Sequence, residues 1–136
     1  SEDGDTPGSG GSNGSPCPGE ATFTANMVKN GEQSSLKVML ESSDPAPPAR
    51  GVNTWMLMIT DMNDAPLADA TVSADPQMPR HGHGALEPVQ VTSTGDGHYE
   101  LEPVNLHMPG LWEVTIDVTP QGGTMDTVKY AFCIED

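Results

Sequence analysis

Positive charge is what this sequence has least of: five Lys and Arg stand against 20 Asp and Glu, a formal net charge of −15 over 136 residues. Nucleic acid and anionic membrane surfaces would repel such a chain, so neither is expected as a partner. Long apolar runs are missing as well; none approaches the ~18 residues that a transmembrane helix needs, and no signal-peptide pattern occurs. Aromatic residues are sparse, with two each of Phe, Trp and Tyr. Enzyme signatures are also wanting: no G-x-S-x-G elbow, no phosphate-cradling glycine loop and no H-E-x-x-H pair. Carboxylates abound, but in a chain with 20 of them a nearby pair reads as solvated surface. The protein is expected not to be an enzyme.

What is present points to one β domain. The length suits a single domain with a proper core, and 13 Pro with 15 Gly favour short strands and many turns. Residues 1–20 contain 13 Gly, Pro or Ser and no base. They read as a flexible acidic linker, because nothing in them buries enough surface to offset the entropy of ordering. Stretches of this kind often follow the anchoring cysteine of a bacterial lipoprotein, so a lipid anchor is an expectation. The folded domain is placed at residues 21–136.

Cys17 and Cys133 sit near opposite ends of the chain. Their separation fits neither a zinc pair nor a redox C-x-x-C. A disulfide tying the start of the domain to its last strand is expected, the alternative being two unrelated buried thiols. Closing so long a loop contributes roughly 4–5 kcal/mol in the chain-entropy model and requires an oxidising compartment. An exported protein is the reading.

From Ala21 onward apolar residues recur every second position. The runs are Phe23-Ala25-Met27, Leu36-Val38-Leu40, Trp55-Leu57-Ile59, Ala70-Val72-Ala74, Val89-Val91, Tyr99-Leu101 continuing to Val104-Leu106-Met108, Trp112-Val114-Ile116-Val118 and Val128-Tyr130-Phe132-Ile134. Parity changes near Pro103, where a β-bulge is expected. Turn signals separate the runs, at Asp44 to Pro48, Asp61 to Asp64, Gly95-Asp96-Gly97, Pro109-Gly110 and Gln121-Gly122-Gly123. The pattern predicts an all-β, immunoglobulin-like β-sandwich of seven or eight antiparallel strands.

Eight methionines is a high count for this length, and two of the four histidines fall in Met78-Pro79-Arg80-His81-Gly82-His83-Gly84. Imidazole nitrogen with thioether sulfur suits copper, Cu(I) above Cu(II), better than calcium or magnesium; the alternative is a polar turn. A hairpin turning at Gly95-Asp96-Gly97 would bring His107 and Met108 back to the end of the sandwich that carries the His81 loop. His98 would then lie at the far end, on the order of 25 Å away. The expected metal ligands are Met78, His81, His83 and Met108, with His107 as substitute or supporting partner. His107 and Met108, adjacent on a strand, are expected on opposite faces. Met56 and Met58 read first as core filler, and otherwise as a soft sulfur face.

These residues resemble the YtkA-like domain family, whose relatives include FixH-like proteins. The similarity runs from Asn53 to Val118, through Ala65-Pro66-Leu67-Ala68-Asp69-Ala70-Thr71-Val72, Met78-Pro79 leading to His81-Gly82-His83-Gly84, Gly97-His98-Tyr99 and Met108-Pro109-Gly110-Leu111-Trp112-Glu113-Val114. The resemblance implies an exported immunoglobulin-like sandwich associated with periplasmic copper handling and with respiratory oxidase assembly, and it carries over Met78, His81, His83 and Met108. Arg80 departs from it, since a cation beside a metal ion is unfavourable unless its side chain points away. The leading expectation is an exported copper chaperone, buffer or sensor whose partner is a copper recipient such as an oxidase-assembly component. A second is a metal-free assembly or adhesion module whose rim loop contacts another protein. A third is zinc or nickel on His81, His83 and His107 with an acidic residue such as Asp75.

Overall fold

The computed structural model describes Cys17 and residues 22–136. The linker expected over residues 1–20 lies outside the described residues, Cys17 excepted. Nine strands are formed among the described residues: β1 (Met27–Asn30), β2 (Leu36–Asp44), β3 (Gly51–Asp61), β4 (Thr71–Met78), β5 (His83–Gly84), β6 (Gln90–Gly95), β7 (His98–Leu106), β8 (Gly110–Thr119) and β9 (Asp126–Ile134). They make two antiparallel sheets, one in the order β1-β2-β3-β7-β6 and the other β9-β8-β4-β5. The architecture is the expected immunoglobulin-like sandwich. The count exceeds seven or eight because the two residues of β5 form a strand of their own inside the His81 loop.

Alternation builds the core. β2 sends Leu36, Val38 and Leu40 inward, β3 Trp55, Leu57 and Ile59, β8 Trp112, Val114, Ile116 and Val118, and β9 Val128, Tyr130, Phe132 and Ile134, all almost fully buried. Full burial of one such aliphatic or Phe side chain is worth about 1.5–3 kcal/mol. Trp55 lies edge-on to both Tyr130 and Phe132, with ring centroids 6.3 and 5.8 Å apart. The Tyr130 hydroxyl is 2.9 Å from the carbonyls of Met27 and Val38, which ties β9 to the opposite sheet.

The bulge at Pro103 is formed. The β3–β7 register passes from Trp55 opposite Leu101 to Asn53 opposite Val104. Two residues of β3 thus face three of β7, and the extra residue turns both Leu101 and Val104 inward. Proline has no N–H for the ladder, so the irregularity falls where the ladder bond is already missing.

The first strand differs from expectation. Phe23 and Ala25 precede β1 rather than forming it, because the chain turns at Asn26, whose φ is 66°. Met56 and Met58 are not core filler: they project from the outer face of β3, half-buried, and lie outside the core cluster. Cys17, itself buried, is bonded to Cys133 of β9 with Cα atoms 5.7 Å apart and a sequence separation of 116.

Candidate functional site

One half of the site is the β4–β5 hairpin. The alternation of β4 continues through buried Pro76 and Met78, so Met78 belongs to the strand rather than to the loop after it. The carbonyl of Met78 accepts the backbone N–H groups of His81 (3.0 Å) and Gly82 (2.9 Å), closing a tight turn. Gly82 adopts φ 69°, a left-handed value suited to glycine. Met78 then stands directly opposite His83. Directly opposite residues share a sheet face, so His83 is carried on the inner side, at an open edge, beside a methionine that is 0% exposed. His81 and His83 are exposed, with their rings stacked at 6.3 Å and 27°. Arg80 is exposed as well.

The other half is the connection from β7 to β8. β7 ends at Leu106, so His107 and Met108 lie beyond the strand and are not held on opposite faces of it. Met108 packs against the core, and its carbonyl accepts the indole N–H of Trp112 at 2.8 Å. The His107 ring meets the Trp112 ring edge-on at 5.3 Å and 66°, while its carbonyl accepts from Arg50 Nε at 3.1 Å. The Nδ1 atom of His107 is buried and has no hydrogen-bond partner. Gly110 joins the halves: its φ is 126°, and an added Cβ would lie 2.9 Å from the Met78 methyl. Glycine there lets the Met78 side chain lie against the start of β8.

Met78, His81 and His83 thus sit at the same rim as His107 and Met108, with Trp112 and Gly110 between them. His98 lies at the other end of β7, whose nine residues span roughly 26 Å. The rim offers neutral sulfur and imidazole donors, a set suited to soft metal ions. Among the described residues no three His, Cys, Asp or Glu side chains gather in a metal-binding arrangement. Asp75 belongs to the outward set of β4 and accepts from Gln77 Nε2 at 3.1 Å. The grouping of His81, His83, His107 and Asp75 for zinc or nickel is therefore not assembled. Sequence reasoning ranked His107 below Met108 and did not find its packing on Trp112. The available signal was Pro109-Gly110, which folds residues 107 and 108 back toward the indole.

Fold and rim together define the class, an immunoglobulin-like β-sandwich with histidine and methionine at one end. A profile of the YtkA-like family matches residues 30–117, from the end of β1 through most of β8, and the chain belongs to that family. Among solved structures it is similar to a DUF4426 family protein from Pseudomonas aeruginosa PAO1, with 14% identity and a TM-score of 0.54, over 80% of this chain and 96% of that one. It is also similar to a copper-bound variant of FetP from uropathogenic Escherichia coli strain F11, with 12% identity and a TM-score of 0.48, over 84% and 89% of the two chains. At these identities the likeness concerns the fold. No curated protein matches the chain.

Proposed function

We propose that this chain is an exported, non-catalytic copper-binding protein, a chaperone, buffer or sensor, that holds copper at the rim. Met78, Met108 and His107 are the inner donors, with His83 and His81 at the entrance. The observation that carries this reading is the buried, unpartnered Nδ1 of His107 beside a partly buried Met108. A buried polar atom without a partner costs about 1–3 kcal/mol, and an ion at that position is one of the few ways to recover it. Thioethers stay neutral, so the donor set favours Cu(I) over Cu(II) and over hard cations. Membership of the YtkA-like family supports the same reading, and the disulfide supports an oxidising compartment, periplasmic or at the cell surface on a lipid tether. The proposed partner is a copper recipient such as a respiratory oxidase assembly component.

The test is an anaerobic Cu(I) titration against a competing colorimetric chelator, with intact protein beside a His107→Ala, Met108→Leu variant whose fold is checked by circular dichroism. The intact protein is expected to compete for Cu(I), and the rim component of binding to weaken at least about tenfold in the variant. Binding indifferent to both substitutions would remove the rim site. The metal-free assembly module would then stand, favoured by Leu86, which is 73% exposed just beyond β5.

A further inference from the structure

Methionines that the rim does not use lie on the outer face of the five-stranded sheet. β3 sends Trp55, Leu57 and Ile59 into the core and turns Met56 and Met58 the other way. Met58 stands opposite Met39 of β2 on one side and opposite His98 of β7 on the other. Three soft donors therefore form one row across neighbouring strands. Met56 lies two residues before Met58 on β3, on the same face, opposite Glu100. All four are half-buried and none belongs to the core. Opposite residues have Cβ atoms about 4.5–5.5 Å apart, a spacing across which flexible thioethers and an imidazole can converge on one ion.

His98 supplies an independent observation. Its Nδ1 lies 2.9 Å from Glu41 Oε1. An ionised carboxylate only accepts, so Nδ1 carries the proton, and in the neutral ring Nε2 keeps its lone pair. A carboxylate that fixes the tautomer at one ring nitrogen and presents the other is the arrangement found around metal-binding histidines. β2 and β7 each pair with β3 and not with one another. The contact between Glu41 and His98 therefore crosses over β3, on the face that carries Met56 and Met58. Lys37, the cation on the same face of β2, is ion-paired with Asp64, while Glu41 and Glu100 lend the face negative potential.

The geometry points to a second soft-metal site, in which Met39, Met58 and His98 bind a monovalent coinage-metal ion, with Met56 at its edge and Glu41 positioning the imidazole. The donors are neutral thioether and imidazole, which disfavours calcium and magnesium. The site goes beyond the rim and does not depend on it, because His98 and the rim lie at opposite ends of β7.

Protein labelled with carbon-13 in its methionine methyl groups, titrated with Ag(I) and followed by NMR, tests this in both the intact chain and the His107→Ala, Met108→Leu background. The Met39 and Met58 methyl signals are expected to shift in both proteins. Glu41→Gln is expected to weaken the response about 10-fold or more, and His98→Ala at least as much. These side chains face outward, so the variants keep the fold, which circular dichroism checks. Met39 and Met58 signals that stay unmoved at saturating Ag(I), or shifts indifferent to His98→Ala, would overturn the site. Shifts confined to Met78 and Met108 in the intact chain would support the rim and overturn this proposal; shifts confined to Met39 and Met58 would do the reverse.

Discussion

Replacing Asp126 by Asn is expected to weaken the fold by about 3 kcal/mol at neutral pH, and the structure shows why. Asp126 opens β9 and is 1% exposed. Its Oδ1 accepts the N–H groups of Gln33 (2.7 Å) and Thr127 (2.8 Å), and its Oδ2 accepts the N–H (2.9 Å) and hydroxyl (2.8 Å) of Ser35. One carboxylate thus closes the β1–β2 turn onto the last strand. Hydrogen bonds to a charged group contribute about 1.5–3 kcal/mol each, and a donor left unpaired costs about 1–3 kcal/mol. Asparagine keeps one acceptor and presents an NH2 group to Ser35, so the Oδ2 bonds are lost and the Oδ1 bonds become neutral. Against a total stability of about 5–15 kcal/mol, the urea midpoint should fall by roughly 1–3 M with unchanged slope. Burial alone would raise the Asp126 pKa, but the bonds from Gln33, Ser35 and Thr127 outweigh it and hold the carboxyl below its ordinary 3.8. A group depressed in the folded state stabilises above its unfolded pKa and loses that contribution as pH falls through its folded value. The gap between wild type and variant should therefore be full above about pH 5 and close on further acidification. A midpoint within error of wild type at pH 7, or a gap that stays constant down to pH 3, would refute the reasoning.

Three further outcomes follow from the same packing. Replacing Cys17 and Cys133 by Ser opens a loop with a sequence separation of 116 and should lower stability by roughly 4–5 kcal/mol in the chain-entropy model, read as a fall in urea midpoint. Gly110→Ala sets a Cβ 2.9 Å from the Met78 methyl on a backbone at φ 126°; a loss of about 1–3 kcal/mol and a displaced Met78 methyl signal are expected. Tyr130→Phe removes the hydroxyl that reaches Met27 and Val38 across the sandwich and should lower stability by about 1 kcal/mol. In the wild type, burial pushes the Tyr130 phenol up, so ultraviolet titration should show it ionising above the ordinary tyrosine value of 10.0.

The strands were legible because burial here is strictly periodic. Trp112 to Val118 alternates inward and outward without interruption, and the slip at Pro103 was readable because proline and a change of parity coincide. Local pattern could not supply β5: two residues, His83 and Gly84, become a strand only because Gln77 and Met78 lie opposite them. The reading that set His107 below Met108 missed its packing on Trp112 for a related reason. It assumed a strand through residue 108, whereas β7 ends at Leu106 and the Pro109-Gly110 turn brings His107 onto Trp112. The histidines and methionines of the rim were thus recognisable as residue types, but their depth was not, since depth depends on how two sheets meet.

Met56 and Met58 show where a two-sided apolar pattern misleads. A strand apolar on both faces reads as one covered on both sides, and β3 has that pattern. Yet no third layer covers the outer face of the five-stranded sheet among the described residues, which form only the two sheets. Thr54 and Thr60 occupy the flanking outward positions of β3, as β-branched residues suited to a half-exposed pleated surface do. Between them stand two unbranched thioethers, with a third on β2 and an imidazole on β7. Core packing does not account for these methionines, since they lie outside it. β propensity does not select them either. What distinguishes them from threonine or valine at the same positions is a polarisable sulfur, and the histidine beside them is already held by a carboxylate with its second nitrogen free. Ligand chemistry therefore explains their choice better than packing does.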